Sequence, residues 1–133
     1  MKSGFADTAF YIALVNPRDK LHAAAVALAR KFQGTLVTTE YVLVELGNRL
    51  SRSGDKDVYV ELIRRLESDA QVEVVPAGSS LFRRGFQLLA NRLDKDWSLT
   101  DCISFVIMQE RGITEALTGD HHFEQAGFVV LLK

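Results

Sequence analysis

The chain contains little cysteine and proline and no long hydrophobic run. Its 133 residues include one Cys and two Pro. A single Cys cannot form an internal disulfide, which excludes a small secreted scaffold held together by disulfides. No apolar run approaches the roughly 18 residues of a transmembrane helix, so we expect a cytoplasmic protein without a membrane partner. Linkers, repeats and low-complexity tracts are also missing, which predicts a single domain over residues 1–133.

An excess of charge of one sign is missing as well. The chain has 16 Lys and Arg against 17 Asp and Glu, a formal net charge of −1, and a hydrophobic fraction of 47%. That fraction is typical of a folded globular protein and excludes a disordered chain. The near-zero charge does not by itself indicate nucleic acid as a partner. Phosphate-binding glycine loops and the G-x-S-x-G nucleophile motif do not occur, which argues against nucleotide-binding proteins and serine hydrolases.

Strand patterns alternate with helix patterns along the chain. Strands are predicted at residues 5–6, 35–38, 72–75, 114–117 and 128–132. Helices are predicted at residues 8–15, 19–34, 39–50, 58–66, 81–93 and 98–112. In the second of these Asp19 is the predicted cap and Gly34 the predicted stop, and Thr39 caps the third. Strands separated by helices pair in parallel through right-handed crossovers, so we predict an α/β protein with three α/β/α layers around a mainly parallel, Rossmann-like sheet.

Four carboxylates fall where the predicted elements reach one edge of this sheet. Asp7 ends the first strand, and Asp120 follows the strand at 114–117. Glu45 and Asp101 lie in the first turns of helices that begin at the same edge. Sites in open parallel sheets lie at the carboxyl ends of the strands. We therefore expect these four acids to converge.

Each of these acids also has an alternative structural role. Asp7 fits the N-cap of the following helix, and Asp101 fits a capping box that opens its own helix. Glu45 fits an exposed ion pair with Arg49 one turn later. Asp120 fits an ordinary loop position. The local patterns alone leave both interpretations open.

The helix at 98–112 favours a metal site. Apolar residues cover most of its circumference, which predicts a buried helix. Asp101 and Ser104 share one of its faces, and no Lys or Arg occurs between Trp97 and Gln109. A buried charge is costly unless it is paired or metal-bound, so a divalent cation is a plausible partner. One or two Mg²⁺ or Mn²⁺ ions on such carboxylates can activate water for phosphodiester hydrolysis.

Other reactive side chains near these acids have simpler interpretations. His121 and His122 are adjacent and do not easily reach one ion, which favours a loop or surface role. Cys102 lies in an apolar run and is predicted to be a buried, inert thiol. Trp97 is predicted to pack in the core rather than to stack on a base.

One face of the third predicted helix carries an acid together with polar and basic residues. Glu45, Asn48, Arg49 and Arg52 lie within about a third of a helix circumference. For Arg49, a solvated face and a phosphate contact remain equally compatible with this pattern. For Arg52, the pattern favours the solvated face.

Four segments together have a specific order and spacing. They are residues 7–8 (DT), 39–49 (TEYVLVELGNR), 97–105 (WSLTDCISF) and 118–128 (TGDHHFEQAGF). With these segments the chain resembles PIN-domain nucleases over nearly its whole length. The resemblance is greatest to the toxin subunit, a VapC-like ribonuclease, of VapBC type II toxin–antitoxin pairs.

The resemblance implies a PIN-like fold and Mg²⁺- or Mn²⁺-dependent cleavage of RNA. It implies a catalytic and metal-binding quartet of Asp7, Glu45, Asp101 and Asp120. Asp7 and Asp101 are its expected direct metal ligands. Supporting or RNA-contacting roles are expected, from the resemblance and from the helix faces described above, for Thr8, Asn48, Arg49 and Ser104.

The same resemblance implies partners. Toxins of this type form homodimers and are inhibited by a small antitoxin whose segment enters the acidic groove. A solitary PIN nuclease and a non-catalytic PIN binding module remain alternatives. A DNA nuclease of the flap type is a third alternative, although so short a chain lacks the arch or clamp expected of one.

Overall fold

A computed structural model describes residues 2–133, which form five strands and seven helices. The strands are β1 Ser3–Ala6, β2 Thr35–Thr39, β3 Val72–Val75, β4 Glu115–Leu117 and β5 Val129–Val130. The helices are α1 Thr8–Val15, α2 His22–Lys31, α3 Glu40–Arg52, α4 Lys56–Ser68, α5 Ser79–Asn91, α6 Leu99–Arg111 and α7 His121–Gln125. None of the helices described is long and apolar enough to span a bilayer.

The five strands form one parallel sheet in the order β3-β2-β1-β4-β5. β1 is central, and Phe5 is in register with Val37 on one side and Ala116 on the other. Because every strand runs in the same direction, all of their carboxyl ends lie at one edge. The predicted α/β class with a parallel sheet is confirmed. The geometry brings the residues that follow β1 and β4 to neighbouring positions.

The buried helix α6 anchors the site edge through aromatic packing. Phe105 lies edge-on against Phe123 of α7, with ring centroids 4.9 Å apart, and against Trp97 at 5.1 Å. The Trp97 indole N–H donates to Gln125 Oε1 at 3.0 Å. These contacts fix the short helix α7 against α6, and they confirm the predicted packing role of Trp97.

Helices α5 and α6 approach closely at Gly85. A Cβ atom built there would overlap the Ile103 side chain and would lie 3.2 Å from the Ile103 Cα. Glycine alone has no side chain in this space, so it permits the close contact of the two helices.

Several predicted boundaries were wrong. Helix α5 ends at Asn91, and Leu93 is 83% exposed, because Arg92 caps the helix and turns to pair with Asp94. Helix α2 begins only at His22, since Asp19 accepts from the Leu21 N–H in a preceding turn.

The end of α2 and the last part of the chain also differ from the prediction. Gly34 does not stop α2, which ends at Lys31. It has φ +149°, and a Cβ there would overlap the Lys2 carbonyl at the start of the sheet. The last strand is only Val129–Val130, although Leu131 and Leu132 still donate to Ala116 and Thr118 carbonyls beside it. The helix α7 was not predicted.

Candidate metal centre

A cleft of about 430 Å³ opens at the carboxyl edge of the sheet. It is lined by the four predicted acids together with polar and basic side chains: Asp7, Thr8, Ala9, Glu45, Asn48, Arg49, Arg52, Asp96, Ser98, Asp101, Asp120 and His122. The cleft is formed by the residues that follow β1 and β4, by the first turns of α1, α6 and α7, and by α3. Glu45 was predicted in the first turn of its helix, but α3 begins at Glu40, so Glu45 lies in its second turn. The structure thus brings all four acids to one cleft, while their chemical roles remain a prediction.

Asp7 is the most buried of the four acids in this cleft, and the residue is only 3% exposed. It occupies the N-cap position of α1, yet it caps none of the backbone N–H groups described for that helix. Its Oδ2 instead accepts from the Thr118 hydroxyl at 3.2 Å. The capping alternative therefore does not account for this side chain.

Asp101 has both of the roles that the sequence allowed. Its backbone N–H donates to Ser98 Oγ at 3.0 Å, and its Oδ2 accepts from the Ser98 N–H at 3.1 Å, which completes a capping box. The same oxygen lies 3.1 Å from Nδ1 of His122. One carboxylate therefore stabilises the start of α6 and also lines the cleft.

Glu45, on α3, is held by a hydrogen bond from α1. The Thr8 hydroxyl donates to its Oε1 at 2.6 Å. An ion pair with Arg49 is not formed among the residues that the structure describes. Thr8, the residue that follows Asp7, therefore links Glu45 of α3 to the start of α1.

Asp120 is positioned by the turn between β4 and α7. Its Oδ1 caps α7 by accepting from the His122 N–H at 2.9 Å, and its own N–H donates to Thr118 Oγ1 at 3.0 Å. The buried Thr118 thus contacts both Asp7 and Asp120. This residue fixes the separation of the two acids.

Three carboxylates form the centre of the cleft. One oxygen each from Asp7, Asp101 and Asp120 lies within 4.8 Å of the others. Burial, together with the charges of Asp101, Asp120 and Glu45, raises the pKa of Asp7 to about 7, against a lowering effect of the Thr8 N–H. Burial and the charge of Asp120 also raise the pKa of Asp101, against a lowering effect of the Ser98 N–H and His122.

This arrangement fits a hard divalent cation. The donors are carboxylate oxygens, the ligands that Mg²⁺ and Mn²⁺ prefer. A divalent charge would offset the mutual repulsion that raises the pKa of Asp7. Asp7, Asp101 and Asp120 are the residues that would hold it, and Glu45 lies farther out.

The predicted supporting residues occupy different places. Asn48 and Arg49 line the cleft with exposed side chains, and Arg52 lies beside them. Ser104 is fully buried, and its hydroxyl donates to the Thr100 carbonyl of its own helix at 2.9 Å. Ser104 therefore supports α6 from within and does not face the cleft.

Sequence reasoning missed three residues of the site. Thr118 directly follows β4 and satisfies the same rule that selected Asp7, since it is a polar residue at the carboxyl end of a strand. Asp96 lines the cleft from the loop before α6. His122 was assigned to a loop or surface, but its side chain is 20% exposed and contacts Asp101. Recognising α7 would have placed it there.

The remaining reactive group near the cleft is the Cys102 thiol. It is fully buried, and burial together with the Asp101 charge raises its pKa to about 11. A thiol in this environment stays protonated, which agrees with the predicted inert role.

Comparisons with known proteins identify the family of this chain. The PIN domain family matches residues 5–129. A relative from Mycobacterium tuberculosis, named 23S rRNA-specific endonuclease VapC20, is 32% identical over 126 residues, which cover 94% of this chain and 95% of the relative.

Solved structures agree in fold. The crystal structure of M. tuberculosis VapC20, described as a sarcin-ricin loop cleaving toxin, matches with a TM-score of 0.86 and 28% identity, over 94% of this chain and 95% of that one. VapBC2 from Rickettsia felis, solved with a DNA fragment, matches at TM-score 0.67 and 14% identity over 96% of both chains, which shows the fold alone. The match over residues 5–129, the identity to VapC20 and the parallel sheet show that this chain belongs to the PIN domain family.

Proposed function

We propose that this chain is an endoribonuclease that hydrolyses ribosomal RNA with the help of Mg²⁺ or Mn²⁺. The observation that carries the proposal is the group of three buried or half-buried carboxylates, whose oxygens lie within 4.8 Å of one another at the carboxyl edge of the sheet. The substrate class is suggested by the relative named as a 23S rRNA-specific endonuclease. Such a substrate is consistent with a cytoplasmic location.

Asp7, Asp101 and Asp120 are the proposed metal ligands. A divalent ion held by these residues would lower the pKa of a water and offset charge on the phosphate and the leaving oxygen. The proposed cofactor is one or two such ions. Thr118 holds Asp7 and Asp120 in place, and this preorganisation reduces the movement needed when the site is loaded.

The chain's own residues also orient the substrate. Glu45, fixed by Thr8 at 2.6 Å, is placed to accept a hydrogen bond from an attacking water. Arg49 and Arg52 line the same cleft with exposed guanidinium groups, which suits contacts to backbone phosphates. Without positive charge, the carboxylate cluster would repel that phosphate. Cleavage should therefore depend strictly on the cation.

The proposed biological role is the toxin of a toxin–antitoxin pair. It is supported by the relative whose crystal structure is described as a cleaving toxin and which aligns over nearly the whole chain. A cognate antitoxin and a homodimer are the partners expected of this role. Co-expression with the product of an adjacent small gene, followed by co-purification and light scattering, tests both.

Cleavage of purified ribosomes or 23S rRNA tests the activity. Wild-type protein should cut with Mg²⁺ or Mn²⁺ and should stop when EDTA is added. Asp7→Asn and Asp101→Asn should each abolish cutting, while Asp57→Asn, an exposed acid in the first turn of α4, should not. Cleavage that survives both cleft substitutions would overturn the proposal. Competition between RNA and single-stranded DNA distinguishes a DNA nuclease.

A further inference from the structure

Two adjacent histidines share a carboxylate at the rim of the cleft. Nδ1 of His122 lies 3.4 Å from Asp120 Oδ1, and Nδ1 of His121 lies 3.8 Å from the same oxygen. The two imidazole rings have centroids 4.5 Å apart and are inclined at 50°. One ligand atom from each of these three residues lies within 4.8 Å of the others. Neighbouring histidines do not easily reach one ion, but here the first turn of α7 brings a nitrogen of each ring close to Asp120.

The donors of this group differ from those of the carboxylate cluster. Two are imidazole nitrogens and one is a carboxylate oxygen, a set that suits Zn²⁺ or Co²⁺ and is a poor match for Mg²⁺. Tetrahedral Zn²⁺ has ligands at about 2.0–2.1 Å, so its ligand atoms lie about 3.3 Å apart. The Asp120 and His122 contact is already close to that spacing. The His121 side chain is 71% exposed and is free to complete it.

We propose that Asp120, His121 and His122 form a second cation site that takes a borderline-soft transition metal such as Zn²⁺. The carboxylate of Asp120 belongs to both groups, since it also lies within 4.8 Å of the Asp7 and Asp101 oxygens. An ion on the histidine side therefore draws on a ligand of the carboxylate cluster. Occupation of one site weakens the other, and by linkage the effect is reciprocal.

This sharing has a consequence for activity, and the consequence rests on the proposed function. Zn²⁺ at the histidine site withdraws Asp120 from the cluster and occupies His122, which otherwise contacts Asp101 at 3.1 Å. Zn²⁺ should therefore inhibit the cleavage that Mg²⁺ supports. The histidine site makes the enzyme sensitive to which divalent ions surround it.

Direct metal binding tests the site independently of cleavage. Tag-free protein is titrated with Zn²⁺ against a chromogenic chelator, first without and then with excess Mg²⁺. His121→Ala should weaken Zn²⁺ binding by at least the roughly tenfold that loss of an outer-shell partner already costs, since it removes a direct ligand. His22→Ala is the matched control, because the His22 Nδ1 is already hydrogen-bonded to the Ala13 carbonyl at 2.8 Å. It should leave the affinity unchanged.

Two further measurements separate this proposal from its alternatives. Co²⁺ should give the visible absorption of a tetrahedral nitrogen-ligated ion in wild-type protein, and His121→Ala should lose it. In the RNA assay, low Zn²⁺ should inhibit Mg²⁺-supported cleavage by the wild type and should inhibit His121→Ala far less, since His121 takes no part in the carboxylate cluster.

The outcomes are distinct. Equal Zn²⁺ affinity of wild-type protein and His121→Ala would overturn the histidine site, because the ion would then be held by the carboxylates and His122 alone. His121→Gln repeats the test with a polar side chain of similar size. If no ion supports RNA cleavage but His121→Ala still loses Zn²⁺ binding, the proposed function fails and the second site stands.

Discussion

Replacing Asp7 with Asn should stabilise the metal-free protein. The Asp7 carboxyl is 3% exposed and lies among other acids, and these surroundings raise its pKa to about 7. A carboxyl whose pKa is raised in the folded state stabilises that state at low pH. This stabilisation is complete below pH 3.8 and is lost as pH rises through 7. At pH 8 the folded protein must therefore hold an ionised group in an unfavourable place.

The magnitude follows from the difference between the two pKa values. Raising a pKa from 3.8 to about 7 corresponds to about 4 kcal/mol held against the ionised form. Asn keeps an oxygen that can accept from Thr118 but adds an N–H₂ group that needs partners. We therefore expect a net gain of about 2 kcal/mol, which raises Tm by roughly 5–10 °C in a domain of this size.

Thermal unfolding in EDTA at pH 8 and pH 5 measures this effect. The Tm of Asp7→Asn should exceed that of the wild type at pH 8, and the gap should shrink by more than half at pH 5, where Asp7 is protonated. Asp96→Asn, an exposed acid in the same cleft, is the control and should change Tm little. A gap that is absent or reversed at pH 8, or equal at the two pH values, would refute the electrostatic reasoning. Asp101→Asn should give a smaller rise, because that carboxylate also closes a capping box.

Three further predictions concern the cleft and the core. Thr8→Val should remove the 2.6 Å hydrogen bond to Glu45 and lower kcat for RNA cleavage, while the Tm increase produced by Mn²⁺ is retained; an unchanged kcat would count against a role for that contact. Arg49→Ala should raise KM and reduce the salt dependence of RNA binding, with little change in kcat, which fluorescence anisotropy at several salt concentrations can measure. Gly85→Ala should destabilise the fold by about 1–3 kcal/mol in urea unfolding, because its methyl group would overlap Ile103; equal stability would show that α5 and α6 can separate without cost.

Much of the fold could be predicted because local chemistry and global packing agree. Thr39 was predicted to cap a helix, and its hydroxyl accepts from the Val42 N–H at 3.1 Å. The helix at 98–112 was predicted from a capping serine and a terminal glycine. Gly112 indeed adopts the left-handed conformation that ends α6. In such places a few neighbouring residues determine the structure.

The errors arise where residue spacing alone does not decide which contact a side chain makes. Leu93 has the spacing of a core residue, but the chain has left the helix before reaching it. Ser104 shares a helix face with Asp101, yet at that position the hydroxyl bonds to its own helix and not to the cleft. His122 could be placed only with the helix α7, which five residues and the packing of Phe123 against Phe105 define. None of these contacts leaves a periodic pattern in the sequence.

The hydrogen bond between Thr118 and Asp7 joins residues 111 positions apart. A ribosome makes the chain from its amino end, so Asp7 is exposed long before Thr118 and Asp120 are synthesised. The sheet places β1 at the centre and adds β4 beside it only late in synthesis. Until Thr118 and Asp120 have been synthesised, the nascent chain therefore has no complete acidic cleft. The proposed ribonuclease would be unable to cut RNA, including the RNA of the ribosome that makes it, before that point.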